Sequence, residues 1–303
     1  GWDMWVTDGT SAGTRALDLN PGRPDAYWDQ TYALNGRYLF RFYTPEFSYE
    51  PWISDGTVSG TRMIKDFNPS GDSTLEMAAE SNGKIYLKIN DQTEPGYTAV
   101  WVTDGTSANT TKLTSRCANN GNPDPQTFTP VAGGLLFKLH DCQYSHKWWR
   151  TDGTLAGTAR LDPSYNPATT TSSDVSPFLI GGKYYFTATS PETGNELWTT
   201  DGSPSGTNVL KDINTVQSGS NSGTGVKLGN KWIFNANDGI NGDELWVSDG
   251  TVSGTRMVRE LQTGSENSKQ SSPHQFVLAG DKVFFKAFSD ATGWDLWVTD
   301  GTS

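Results

Sequence analysis

The sequence predicts an all-β chain, a six-bladed β-propeller of four-stranded antiparallel blades, and three observations carry that reading. A motif of Trp, a β-branched or polar pair and Asp-Gly-Thr, with Ser203 for the Thr in one copy, returns with its Trp at Trp5, Trp52, Trp101, Trp149, Trp198, Trp246 and Trp297, at intervals of 47 to 51 residues. Self-similarity at such a period marks solenoids, propellers or arrays. Six of the seven motifs, from Trp52 on, are preceded by two short apolar runs around a glycine turn, so one period holds four strands. The third observation is composition: 34 % hydrophobic residues, 33 Gly and 12 Trp describe many short strands, polar turns and large aromatic packing residues.

Within the motif, Trp-Val-Ser of residues 246–248 reads as a strand end, because aromatic and β-branched side chains suit a half-buried pleated surface. Asp249-Gly250-Thr251 reads as a turn, since Asp accepts hydrogen bonds from the backbone two residues on and Gly supplies positive φ. The same role is expected of Asp8, Asp55, Asp104, Asp152, Asp201 and Asp300. One carboxylate per turn seldom holds calcium without others nearby. The recurring Trp is expected to pack between blades.

Taken in order, the chain enters at Trp5, turns through Asp8-Gly9-Thr10 and leaves on a strand near Arg15. Asn35-Gly36 then joins two apolar runs, the strongest short-range hairpin signal. Equivalent inner turns follow at Asn82-Gly83, Gly133-Gly134, Gly181-Gly182, Gly229-Asn230 and Gly280-Asp281. Residues 163–174 and 261–273, rich in Ser, Thr, Asn and Pro, fall between blades and read as loops, so residues 1–303 are expected to form a single propeller domain. Five complete blades end in the motifs at Trp52, Trp101, Trp149, Trp198 and Trp246, and the sixth is expected to be closed by strands from both termini. Residues 1–11 and 293–303 differ only at Met4 against Leu296, which leaves one third strand surplus and available for self-association.

The net charge of -11, with no basic cluster, argues against nucleic acid and anionic membranes as partners, and no apolar run is long enough for membrane insertion. Cys117 and Cys142 are the two cysteines; an intramolecular disulfide is the preferred reading and two buried free thiols the alternative. Asn109-Thr110-Thr111 fits an N-glycosylation acceptor.

With Glu196-Leu197-Trp198-Thr199-Thr200-Asp201-Gly202 and Glu244-Leu245-Trp246-Val247-Ser248-Asp249-Gly250-Thr251, the chain resembles the ELWxxDGT repeat proteins over its whole length. The resemblance implies a bacterial β-propeller that is secreted or displayed at the cell surface, and it brings no settled activity. The leading Glu is replaced by Asp3, Ala99, Lys147 and Asp295, so that carboxylate is not needed in every blade.

Function is expected where loops vary on a rigid scaffold, on the blade end opposite the Asp-Gly-Thr turns. Asp238, Asn241, Asp243 and Glu244 form an oxygen-rich stretch with two glycines, a candidate for calcium, with a plain polar turn as the alternative. Outside the motif, Trp2, Trp28, Trp148 and Trp294, with Asp290, are candidates for stacking on sugar rings, with packing between blades the competing role. His140, His146 and His274 are the only histidines, no nucleophile motif appears, and no catalytic residue is assigned. The expected function is non-enzymatic binding of a glycan or an extracellular protein. A structural, self-assembling element of a larger surface protein is the alternative, and a polysaccharide hydrolase or lyase the second alternative.

Overall fold

A computed structural model describes residues 3–19, 27–91, 97–115, 122–140, 146–161, 177–190, 192–203, 205–216, 219–220, 222–262 and 271–302. Among these there is no helix. The chain divides into two compact units, Gly1–Arg160 and Leu161–Ser303.

The first unit begins with a two-stranded sheet of β1 (Trp5–Val6) and β2 (Arg15–Ala16). Three four-stranded meanders follow. They are β3 to β6 (Trp28–Leu34, Arg37–Thr44, Ser48–Ser54, Arg62–Met63), β7 to β10 (Thr74–Ser81, Lys84–Asn90, Thr98–Thr103, Thr111–Lys112) and β11 to β14 (Gln126–Val131, Gly134–His140, His146–Thr151, Ala159–Arg160). Every pairing is antiparallel between chain neighbours, the order of a propeller blade. The second unit holds β15 to β18 (Phe178–Ile180, Lys183–Ser190, Gly194–Thr200, Asn208–Lys211), β19 to β22 (Gly225–Leu228, Lys231–Asn237, Asp243–Ser248, Arg256–Arg259) and a three-stranded sheet of β23 (His274–Ala279), β24 (Lys282–Ser289) and β25 (Gly293–Thr299). At the two ends of the described chain, β1 pairs with β2 and β25 pairs with β24.

The inner turns form as their residues dictate. Between β7 and β8, Asn82 (φ 51°) and Gly83 (φ 71°) both occupy the left-handed region, the primed turn whose twist matches the flanking strands.

Strand periodicity explains how each unit coheres. Successive side chains of a strand point to opposite faces, so a strand buried on both faces serves two clusters. On β8, Ile85, Leu87 and Ile89 join Leu39, Ile53, Ile64 and Phe67 of the preceding blade. The intervening Tyr86 joins Leu135, Phe137 and Leu139 of the following one. In the second unit β20 is divided in the same way: Phe234 and Ala236 pack with Ile180, Tyr185 and Leu197, while Ile233 packs with Val283, Phe285 and Ala287. Each fully buried Ile, Leu or Phe contributes about 1.5 to 3 kcal/mol relative to exposure.

The motif Trp residues are part of this packing. Trp101 and Trp246 are members of these clusters, and Trp52, Trp149 and Trp297 pack against clusters shared with the preceding sheet. Phe42 meets Trp52 edge-on at 5.3 Å and Phe67 meets Trp101 edge-on at 5.0 Å between ring centroids. Trp198 is partly buried and donates its indole N–H to the Ala188 carbonyl at 3.0 Å.

Candidate functional site

Three repeated polar features are built on this frame: the Asp-Gly-Thr turn at one end of a blade, a buried glutamate at the start of the third strand, and the hairpin between strands two and three at the opposite end.

The turn is a closed set of hydrogen bonds. Asp55 Oδ1 accepts from the Thr57 N–H (2.9 Å) and hydroxyl (2.7 Å), and Thr57 Oγ1 accepts from the Gly60 N–H at 2.9 Å. Thr61 donates to the Thr57 carbonyl at 2.6 Å and shares a bond with Ser54 Oγ at 2.7 Å, which accepts from the Gly56 N–H at 3.0 Å. The same set returns around Asp8, Asp152, Asp201 and Asp249. Asp104 and Asp300 keep the bonds from Thr106 and Thr302. Hydrogen bonds from the Thr hydroxyl hold Asp8, Asp55, Asp104, Asp152, Asp249 and Asp300 below the usual carboxylate range, and the Ser203 N–H does so for Asp201.

The second glycine of the motif is required sterically, because a Cβ at Gly60 would overlap the Asp55 carboxylate, as it would at the corresponding Gly13, Gly157, Gly206 and Gly254. In the β7–β10 blade Asn109 stands at that point and its amide donates to Asp104 Oδ2 at 2.7 Å, so the nitrogen of the glycosylation pattern is already engaged. A neighbouring sheet holds three of these turns from outside: Arg15 donates to the Gly56 carbonyl (2.8 Å), Arg62 to that of Gly105 (2.9 Å) and Tyr185 to that of Gly250 (3.0 Å). Replacing Thr103 by Val removes the bonds to Thr110 Oγ1 (2.7 Å) and from the Gly105 N–H (2.9 Å). Urea denaturation is expected to show a loss of about 1 to 2 kcal/mol with an unchanged m-value.

The sequence reading named Glu196 and Glu244 as the leading residues of the repeat motif, and Glu244 also as a calcium candidate, but did not foresee the buried clamp that these two and Glu50 form. Glu50, Glu196 and Glu244 are fully buried. Glu50 Oε2 accepts from the Phe67 N–H (3.0 Å) and Ser73 hydroxyl (2.7 Å), and Oε1 from the Asn68 N–H (3.3 Å). Glu196 accepts from the N–H groups of Ile213 and Asn214, both at 3.2 Å. Glu244 Oε2 accepts from the Leu261 N–H (3.0 Å) and Ser271 hydroxyl (2.7 Å). Each carboxylate ties the segment after the fourth strand back to the third. Burial pushes all three upward, Glu50 to about 7, and an acidic neighbour adds to the effect: Asp66, Asp212 and Glu260 respectively. The discernible sequence signal is the echo Asp66-Phe67-Asn68, Asp212-Ile213-Asn214 and Glu260-Leu261-Gln262, 16 to 18 residues after each Glu.

The oxygen-rich stretch of residues 237–244 is the β20–β21 turn. Asp238 Oδ1 accepts from the N–H groups of Ile240 (2.9 Å) and Asn241 (2.7 Å), and Oδ2 from the Asn241 amide (2.7 Å). Burial raises the Asp243 carboxyl, and Glu244 serves the clamp already described. The four residues thus lie together, with the Asp238 oxygens occupied by the turn. Among the described residues no three His, Cys, Asp or Glu side chains are grouped to hold a metal ion.

The aromatic candidates have separate fates. Trp28 on β3 is partly buried against Met4, Leu17, Phe40 and Phe42, and Trp148 on β13 is buried with Lys138 Nζ 5.2 Å from its ring centroid. Trp294 on β25 is 52 % exposed. Lys286 Nζ stands 5.3 Å from its ring centroid, and the His274 and Phe288 rings meet it edge-on at 5.3 and 5.7 Å. Asp290, in the adjoining turn, accepts from Gln262 Nε2 at 3.1 Å. A related pairing occupies the same end of the β3–β6 blade, where Arg41 lies 4.6 Å over the Tyr49 ring and is bound to Asp29. His274 Nδ1 is 2.8 Å from the Ser272 carbonyl, and His140 ends β12. Trp2, Cys117, Cys142 and the His146 side chain lie outside the described residues.

These features define an all-β repeat protein built of propeller-type blades, each fastened by its own turn and, in three blades, by a buried carboxylate. No family model matches the chain, and no curated protein matches it. Among solved structures it is similar to a prolyl endopeptidase (13 % identity, 94 % of this chain and 45 % of the other, TM-score 0.45). It is also similar to the β-propeller domain of the Trilobed protease from Pyrococcus furiosus (12 %, 91 % and 83 %, 0.40). A third similarity is to prolyl oligopeptidase B from Galerina marginata (11 %, 92 % and 43 %, 0.45). The chain spans less than half the length of the first and third, and at these scores the likeness brings neither activity nor substrate to it.

Proposed function

We propose that this chain is a non-catalytic recognition module of a secreted or surface-displayed repeat protein, and that it binds glycan at the hairpin ends of its blades. The observation that supports this is Trp294, a half-exposed indole fixed on a strand, with Lys286 and His274 beside it. An exposed aromatic ring stacks on the apolar face of a sugar, and neighbouring donors orient the hydroxyls or a carboxylate. Strand placement adds rigidity, which lowers the ordering cost of binding.

A glycan array probed with the full chain, with calcium and with chelator, tests the reading. Selective binding is expected in both conditions, because the Asp238 oxygens are already engaged by the turn. Trp294→Ala is expected to weaken it at least tenfold without changing the melting temperature. An array blank in both conditions overturns the glycan reading, and release of new reducing ends from a bound polysaccharide overturns the non-catalytic one.

A further inference from the structure

Eight Asp-Gly and four Asn-Gly pairs stand in the chain, and these are dipeptides at which a backbone can rearrange by its own chemistry. Glycine has no side chain to crowd its nitrogen, so that nitrogen can attack Cγ of the residue before it and close a five-membered imide. The Gly N–H must be free to give up its proton, and Cγ must carry a group that can leave: ammonia from an amide, or water from a protonated acid. An ionised carboxylate offers neither.

The seven motif turns deny both conditions. The Gly56 N–H donates to Ser54 Oγ at 3.0 Å, and Gly9, Gly105, Gly153, Gly202, Gly250 and Gly301 donate in the same way to the Ser or Thr before their Asp, at 2.9 to 3.1 Å. The Asp carboxylates, lowered by the hydrogen bonds of the turn, stay ionised. Asp238-Gly239 is closed likewise: the Gly239 N–H donates to Asn237 Oδ1 at 2.7 Å, and Asp238 Oδ1 accepts from Ile240 and Asn241. Asn241, which precedes Gly242, has its amide bound to Asp238 Oδ2 at 2.7 Å. Asn120-Gly121 lies outside the described residues.

Asn35-Gly36 and Asn82-Gly83 are built differently. Each is a two-residue hairpin turn outside the ladder, which resumes with Leu34 opposite Arg37 and with Ser81 opposite Lys84. All four residues are exposed, and a Cβ at either Gly would meet nothing within 4 Å. Among the described residues no acceptor takes the Gly36 or Gly83 N–H, and neither Asn side chain is hydrogen-bonded. Both sheets have neighbours on each side within the first unit: β3–β6 packs with β1–β2 and β7–β10, and β7–β10 packs also with β11–β14.

We propose that Asn35 and Asn82 are self-modification sites that convert to aspartate and isoaspartate, while the Asp-Gly bonds of the motif stay intact. The Gly nitrogen loses its proton to solvent base and bonds to Cγ; the Cγ–Nδ2 bond breaks and ammonia leaves. Water then opens the imide. Opening at Cγ gives aspartate, and opening at the main-chain carbonyl gives isoaspartate, whose backbone runs through Cβ and Cγ. Either product adds one negative charge to the -11 of the chain. Isoaspartate also lengthens the backbone by one atom within a turn whose geometry sets the strand register, so the β7–β8 hairpin loosens once Asn82 has reacted.

Peptide mapping of the full chain, with isoaspartate tagged by an isoaspartyl methyltransferase, provides the test. After incubation at pH 8, isoaspartate is expected at Asn35 and Asn82. At the motif aspartates and Asn241 it is expected to form roughly tenfold more slowly or less, the ratio given by a barrier difference of about 1.4 kcal/mol. At pH 5 the two asparagines slow, because less Gly nitrogen loses its proton. In urea at pH 5, with the turn bonds gone and part of the Asp protonated, the motif aspartates are expected to join them. Asn82→Gln removes its own signal and leaves that of Asn35. Ser54→Ala frees the Gly56 N–H and is expected to raise isoaspartate at Asp55 alone; should that variant lose its sheet signal, the urea arm carries the comparison. Absence of isoaspartate at both asparagines in the native chain at pH 8 overturns the proposal, as does native conversion of the motif aspartates as fast as that of Asn82.

Discussion

The melting temperature is expected to fall by several degrees as pH rises from 5 to 8, and the buried glutamates are the cause. Glu50 is raised from 4.5 to about 7 by burial, which outweighs the bonds from Phe67, Ser73 and Asn68; Glu196 and Glu244 are raised by the same cause. Between the unfolded and folded values the native state holds more protons than the unfolded one, so stability declines as pH rises through that window and levels off above it. For Glu50 the difference corresponds to about 3 kcal/mol across the whole window. The turn aspartates act in the opposite sense. Their folded values are lowered, so their contribution is present above the ordinary carboxylate range and is lost as pH falls through the folded values. The stability maximum is therefore expected at about pH 4 to 5, at the foot of the glutamate window and above the ordinary aspartate value. Thermal unfolding at half-unit steps checks this, and a melting temperature that rises steadily towards pH 8 excludes it. Glu50→Gln is expected to remove part of the slope, while Glu50→Ala leaves two backbone N–H groups and a hydroxyl without an acceptor in a buried site, at a cost of about 3 to 5 kcal/mol.

Gly60→Ala is expected to destabilise the β3–β6 blade by about 1 to 3 kcal/mol, because the added methyl occupies the space of the Asp55 carboxylate. That carboxylate cannot withdraw without losing both Thr57 bonds. A double-mutant cycle isolates the effect: in an Asp55→Ala background the same Gly60→Ala change is expected to cost only a few tenths of a kcal/mol. Equal costs in the two backgrounds would place the origin in the backbone instead of the overlap.

The blades were legible in the sequence because their signals are local. Trp, Asp-Gly-Thr and the inner glycine turn lie within one period, and the turn's hydrogen bonds join residues no more than seven apart. The role of the leading Glu was not legible, because its partners are backbone N–H groups 17 and 18 residues on, and any residue type supplies those. Its replacement by Ala99 read as dispensability. In that blade Thr114 Oγ1 accepts from the Val100 N–H (2.9 Å) and Asn122 Oδ1 from the Thr98 N–H (3.1 Å), so other side chains bind the same stretch of strand. The acidic stretch at residues 238–244 admits two readings for a related reason: oxygen atoms that could hold a cation serve equally well to receive the turn's own N–H groups. Among the Trp residues outside the motif, sequence could not separate the buried Trp148 from the exposed Trp294, since burial depends on which sheet follows.

The self-contained turn also bears on how such a chain can grow. An eight-residue segment that closes most of its hydrogen bonds within itself carries its shape wherever it is copied, and it asks little of the adjoining sequence beyond a donor to its glycine carbonyl. The sheet faces are under the opposite constraint, since each must fit the face of its neighbour. Tandem duplication meets both conditions at once, because a copied unit brings an intact turn together with the two faces that already fit each other. Ten identities in eleven between residues 1–11 and 293–303 are what recent duplication or exchange of such units would leave.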